Sequence, residues 1–234
     1  LYVVCWGPNV LYHNNGDGTF TKITNSIAVS DAVSSWAAAW GDYDNDGFLD
    51  LFVANSGGTG GANLLYHNNT NDNHWLKFRL IGTRSNRAAI GAKVRVHATI
   101  NGRTFWQMRE VSGGDGHMGQ NSLHVHFGLG NATNVDLVRI EWPSGTVQEL
   151  RNVTANQLLT ITEPPHLQAA GLQPDGGFQM LLTGATGLQY DLQTSSNLAA
   201  WTFWQTVTNT SRTISITDSN APGFPQRFYR AVGP

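Results

Sequence analysis

Charge is scarce in this sequence. Charged residues make up 13% of its 234 positions, about half the roughly 25% usual in globular chains, and the formal net charge is only −2. Such a chain gives no electrostatic reason to expect a nucleic acid or an anionic membrane as partner. Cysteine is nearly absent as well. Cys5 stands alone and cannot form an internal disulfide; it reads as a small buried thiol, or as half of a bridge to a partner in a longer parent chain. Covalent haem attachment is excluded for this sequence, because no Cys-x-x-Cys-His run occurs. No apolar run approaches the roughly 20 residues a membrane-spanning helix needs, and no signal peptide is visible.

Glycine, at 26 residues, carries much of the polar character together with asparagine and threonine. Turn formers combined with β-branched and aromatic residues argue for an all-β chain. Its length allows two or three domains. Asn-x-Ser/Thr sequences at Asn68, Asn131, Asn152 and Asn209 are consistent with an exported surface, and a chain this rich in Asn and Thr also produces them by composition alone.

The most specific signal is the nonapeptide at positions 42–50, Asp-Tyr-Asp-Asn-Asp-Gly-Phe-Leu-Asp. Asp42, Asp44 and Asp46 alternate, Gly47 allows a sharp turn, and Asp50 follows. Calcium seeks six to eight oxygens at about 2.3–2.6 Å and tolerates irregular geometry. Alternate Asp side chains on a tight loop converge on one point, the Phe48 carbonyl can supply a further oxygen, and Asp50 completes the set. Without a cation, four such carboxylates repel one another. The loop is not an EF-hand, since the bidentate Glu at its twelfth position is replaced by Val53 and no helices flank it.

An internal repeat frames this loop. Asn9-Val10-Leu11-Tyr12-His13-Asn14-Asn15 returns as Asn63-Leu64-Leu65-Tyr66-His67-Asn68-Asn69, an offset of 54. Leu1-Tyr2-Val3-Val4 aligns with Leu51-Phe52-Val53-Ala54 at an offset of 50, the difference being absorbed by Gly57-Gly58-Thr59-Gly60-Gly61. A period near 50 with several short strands suits a propeller blade or a similar stacked β repeat. The alignment predicts that the residue before Leu1 in the parent chain is Asp, with a like acidic run upstream. Asn14–Phe20 holds Asn-Gly and Asp-Gly and reads as a turn, Asp17 being its lone carboxylate.

Leu11–Phe20 and Gly41–Leu51 together resemble the FG-GAP/VCBS repeat family over residues 1–72. The resemblance implies propeller-type blades and calcium held by Asp42, Asp44, Asp46, the Phe48 carbonyl and Asp50. Fewer than two blades are present, so a closed propeller cannot form from these residues alone. Within residues 73–163, from His74–Leu80 onward, the pattern predicts strands at Lys93–Ile100, Arg103–Glu110, Ser122–Phe127, Val135–Trp142 and Leu158–Thr162. Asn86-Arg87, Ile90-Gly91-Ala92, His126-Phe127-Gly128-Leu129-Gly130 and Glu141-Trp142-Pro143-Ser144-Gly145 resemble the ASPIC/UnbV domain. Glu163-Pro164-Pro165 reads as a linker. Residues 164–234 resemble small terminal β-sandwich domains of exported bacterial proteins, of immunoglobulin or fibronectin type.

Two further constellations are candidates for chemistry. His124 and His126, two apart on an expected strand, share a face, and His117 or Asp115 folding back would complete a zinc-like site. The other reading is ordinary strand histidines. Trp201 and Trp204 could form a carbohydrate platform or fill a sandwich core. Gly113-Gly114-Asp115-Gly116 lacks the Lys and the strand-to-helix context of a phosphate cradle, and no Gly-x-Ser-x-Gly elbow occurs. These readings predict an extracellular, calcium-binding structural or adhesion protein without enzymatic activity. Its expected partners are other extracellular proteins, polysaccharide, or copies of itself in a fibre. The alternative is a fragment of a secreted hydrolase or carbohydrate-binding protein.

Overall fold

The computed structural model describes residues 1–31, 34–56 and 61–233; the Gly57–Gly60 part of the repeat insertion lies outside them. All regular elements among the described residues are strands or short 3-10 turns, as the composition predicts. No helix among them is long and apolar enough to cross a membrane. The chain divides into two compact units. One comprises Leu1–Arg79, Val94–Val138 and Arg151–Leu159, the other Leu80–Lys93, Arg139–Leu150 and Thr160–Pro234.

The first unit opens with two three-stranded antiparallel sheets. Strands β1 (Tyr2–Val3), β2 (Val10–Asn14) and β3 (Phe20–Ile23) form one, and β4 (Ser35–Gly41), β5 (Asp50–Asn55) and β6 (Leu64–Tyr66) form the other. The sequence repeat is preserved in strand register. Tyr2 pairs with Leu11 and Val3 with Val10; at the equivalent positions Phe52 pairs with Leu65 and Val53 with Leu64. The repeat extends to a side-chain cap. The Cys5 amide donates to Asn9 Oδ1 at 2.9 Å, and the Asn55 amide donates to Asn63 Oδ1 at 2.9 Å. Ala28, Leu51 and Val53 form the buried centre, covered by Tyr2, Trp40, Leu64 and Tyr66. Trp40 therefore packs inside, its ring edge-on to Tyr2, whereas Trp36 stays 41% exposed.

Two more sheets follow, with orders β10-β7-β13 and β12-β11-β8-β9. Their strands are β7 (His74–Ile81), β8 (Lys93–Ile100), β9 (Arg103–Glu110), β10 (Val125–Gly130), β11 (Asn134–Glu141), β12 (Val147–Thr154) and β13 (Gln157–Thr162). Within the first unit Leu76, Phe78, Val94, Val96, Phe127, Leu129, Val135 and Val138 are fully buried. Each such side chain contributes about 1.5–3 kcal/mol of apolar transfer free energy. Phe78 meets Phe127 edge-on at 5.9 Å. The Phe127–Gly130 segment lies inside β10, with a bulge between Gly128 and Gly130.

The second unit ends in a β-sandwich. Strands β14 (His166–Leu172), β15 (Phe178–Thr183) and β18 (Thr213–Asp218) make one sheet; β16 (Gln189–Ser195), β17 (Thr202–Thr208) and β19 (Phe228–Val232) make the other. Met180, Leu182 and Ile216 of the first sheet pack with Tyr190 and Leu192 of the second. Along β18 and the first half of β16 residues alternate inward and outward, and the inward ones of both sheets share a single core. Asn209 is buried, and its amide donates to the Gly184 and Ala185 carbonyls. That residue is thus no accessible glycan acceptor in the folded chain.

Glu163 corrects the linker reading. Its side chain is buried, and Oε2 accepts the Thr83, Arg84 and Ser85 amides at 2.7, 2.9 and 2.8 Å. Oε1 accepts the Ser85 hydroxyl at 3.0 Å and the Ser144 hydroxyl. Burial pushes the carboxyl up, and these hydrogen bonds outweigh it, so the group ends below its ordinary range. The residue is an anchor for the 83–85 turn rather than part of a flexible joint.

Candidate metal centre

The acidic loop connects β4 to β5, so its ends are fixed by the antiparallel pairing of Gly41 with Asp50 and Trp40 with Leu51. Inside the loop the carboxylates organise their own backbone. Asp44 Oδ1 accepts the Asp46 amide at 3.2 Å, Asp46 Oδ1 the Phe48 amide at 2.8 Å, and Asp42 Oδ2 the Gly47 amide at 3.1 Å. Asp50 is buried and receives the Tyr43 amide at 3.1 Å and the Asn68 amide at 2.9 Å. Asn45 and Gly47 take positive φ, 64° and 94°, which lets the chain reverse within a few residues. Only Gly fits position 47. A Cβ there would lie 1.8 Å from Trp75 Cε2.

This folding converges the predicted carboxylates. One oxygen each from Asp42, Asp44 and Asp50 lie within 4.8 Å of one another, and so do ligand atoms of Asp44, Asp46 and His67. One atom stands out. Asp42 Oδ1 is buried and has no hydrogen-bond partner, in a side chain only 1% exposed. An unpaired buried carboxylate oxygen is costly, and a hard cation shared with Asp44 and Asp50 would satisfy it. The donor set, carboxylate oxygen throughout, is the one calcium prefers. The residues therefore fit the ion.

Three side chains hold this loop from the neighbouring sheet: Trp75 and Lys77, which sequence reasoning missed, and His126, which it placed in a zinc-like group instead. The ammonium of Lys77, whose side chain is 3% exposed, sits on Asp42 Oδ2. His126 Nε2 lies 2.8 Å from the Gly47 carbonyl, and its ring stacks on Trp75 at 6.3 Å. Lys77 and His126 are cross-strand partners on β7 and β10, and Trp75 is two residues from Lys77. The three consequently share one face of the sheet. Burial pushes the His126 imidazole down, against the pull of the Gly47 carbonyl. His67, from the second copy of the repeat, lies 3.1 Å from Asp44 and 3.7 Å from Asp46.

The other candidate groups do not assemble. His126 is engaged with Gly47; His117 stacks on Trp36 with ring centroids 6.5 Å apart; His124 precedes β10. None of the three belongs to a convergent metal-ligand group among the described residues. Trp201 and Trp204 do not form one platform. Trp204 packs against the sandwich core beside Tyr229, while Trp201 lies over Arg230. A spacing of three on an extended chain sends two side chains to opposite faces. Asp17 accepts the amide and hydroxyl of Thr19 in a turn between β2 and β3, as its surroundings predict.

Comparison with known proteins agrees with the two resemblances. Residues 1–53 match the FG-GAP-like repeat family, and residues 82–168 match the ASPIC and UnbV family. The chain thus carries FG-GAP-like repeat sequence followed by an ASPIC/UnbV segment. It is 26% identical to Cartilage acidic protein 1 of Homo sapiens over 155 residues, 66% of this chain and 22% of that protein. The Mus musculus protein of the same name is 25% identical over 155 residues, 66% of this chain and 23% of that protein. The Xenopus tropicalis protein is 37% identical over 79 residues, 33% of this chain and 12% of its own length. The chain therefore spans less than a quarter of the length of these curated relatives.

Proposed function

We propose that this chain is a calcium-stabilised structural module of an extracellular protein, with the ion held by the Asp42–Asp50 loop. The reading is carried by a carboxylate, Asp42, that has a buried, unpartnered Oδ1 and that converges, through one oxygen each, with Asp44 and Asp50 within 4.8 Å. Asp42, Asp44 and Asp50 would hold calcium, with Asp46 and the Phe48 carbonyl as further oxygens. Bound calcium supplies positive charge that offsets the repulsion among these carboxylates. Because the site exists only in the folded chain, binding adds directly to stability. His67 is a nitrogen donor, a poor match for a hard cation, and acts as a hydrogen-bond partner to Asp44.

The extracellular setting is supported by the similarity to relatives named for cartilage and by the match to the FG-GAP-like repeat family. An adhesive or scaffolding role is supported by apolar side chains left exposed on the second repeat sheet, Phe52 of β5 and Leu65 of β6. Such exposure suits association with another protein or a further copy. Calorimetric titration with calcium tests the metal reading: the wild-type chain is expected to bind, and Asp44→Ala to bind at least about tenfold more weakly. Equal heats for the two chains would overturn it.

A further inference from the structure

The calcium loop already contains a cation. Lys77 is almost fully buried, its ammonium rests on Asp42 Oδ2, and it also lies 5.9 Å from the centre of the Trp75 ring. It reaches the loop from β7, a strand of the following sheet, and is fixed there by pairing with His126. Asp42 is thereby split between two duties. Oδ2 serves the ammonium and the Gly47 amide, while Oδ1 is buried with no partner. The remaining loop carboxylates, Asp44, Asp46 and Asp50, are answered by backbone amides and by His67.

We propose that Lys77 is a built-in counter-cation of this loop: it keeps the loop assembled when no ion is bound and holds its calcium affinity down. The inference rests on the calcium reading above and deepens it. Four Asp side chains together with one ammonium leave a net charge of about −3 rather than −4 around the ion. A fixed positive charge that shares a carboxylate with the bound cation repels it, and even at an effective dielectric constant near 20 this lowers affinity by about tenfold or more. The same ammonium removes much of the carboxylate repulsion that would otherwise open the loop. The ammonium thus trades calcium affinity for a loop that stays assembled without the ion, and strand β7 couples ion binding in the repeat to the sheet that follows it.

The test compares the 234-residue wild-type chain with Lys77→Gln, which keeps a donor for Asp42 without the charge, and with Lys77→Met. Calcium titration calorimetry and thermal melts in chelator and in calcium are recorded for each. Both variants should bind calcium about tenfold or more tighter than wild type, melt lower in chelator, and gain more from added calcium. A variant unfolded in chelator that folds on adding calcium supports the proposal equally. Affinities equal within about threefold and equal calcium-induced shifts would overturn the proposal while leaving the calcium site standing. A variant that stays unfolded in calcium would also overturn it, since the ion then cannot replace the ammonium. Absence of any calcium response in wild type would remove the site itself, and the proposal with it.

Discussion

Replacing Glu163 with glutamine is the sharpest probe of how the second unit is held together. The carboxylate accepts three backbone amides on Oε2 and two hydroxyls on Oε1. Glutamine keeps the shape and one acceptor oxygen but discards the charge. Charge-assisted hydrogen bonds are worth roughly twice neutral ones, so each of the three amide bonds weakens by about 1 kcal/mol. The hydroxyls can turn to accept from the new amide group, which limits the further cost. Glu163→Gln should therefore destabilise the unit by about 3 kcal/mol, a fall of about 6–12 °C for a chain of this size. The pH dependence gives an independent check. Because the folded carboxyl lies below its ordinary range, its contribution is complete above the unfolded value of about 4.3 and is lost as pH falls through the folded value. Melting of wild type and variant between pH 7 and pH 3 should therefore converge toward the acid end. A variant within about 0.5 kcal/mol of wild type at pH 7 would refute the anchoring role of Glu163.

Gly47→Ala combines a positive φ with a Cβ that would run into Trp75. It should cost at least about 2 kcal/mol, read as a lower melting temperature in chelator together with a changed near-ultraviolet Trp signal. In the sandwich, Asp218 pairs with Arg227 at 3.0 Å and accepts the Tyr229 hydroxyl at 3.0 Å, and burial together with this bond raises Tyr229 to about 12. Asp218→Asn should move the Tyr229 titration back toward the ordinary phenol value, followed by ultraviolet absorbance, and should destabilise the domain by about 3 kcal/mol by stranding a largely buried guanidinium.

Local features are legible in the sequence, and distant ones are not. The loop ligands lie within nine consecutive residues, so alternation and one glycine suffice to bring Asp42, Asp44 and Asp50 together. Trp75, Lys77 and His126 come from 33 to 84 positions beyond the loop's first residue, and only strand pairing brings them to it. Nothing in the sequence around Trp75 and Lys77 marks them, and the His124–His126 spacing marks His126 for a different role. The repeat register is readable because the same seven-residue phrase occurs twice. Strand β12 escapes a sequence reading because its apolar residues Val147, Leu150 and Val153 recur every third position and Asn152 takes a φ of 54°, which breaks the two-residue period of a strand. Glu163 reads as part of a linker because two prolines follow it. Its five hydrogen-bond donors lie on Thr83, Arg84, Ser85 and Ser144, most of them about 80 residues away.

The central claim, that the Asp42–Asp50 loop binds calcium, is tested most directly by melting the wild-type chain in chelator and in calcium. At a calcium concentration about a hundred times the dissociation constant, binding adds about 2.7 kcal/mol to the folded state, a rise of about 5–10 °C. The account predicts a shift of that size in the transition of the first unit, and one at most about half as large in Asp44→Ala. Superimposable melts of the wild-type chain with and without calcium would contradict it.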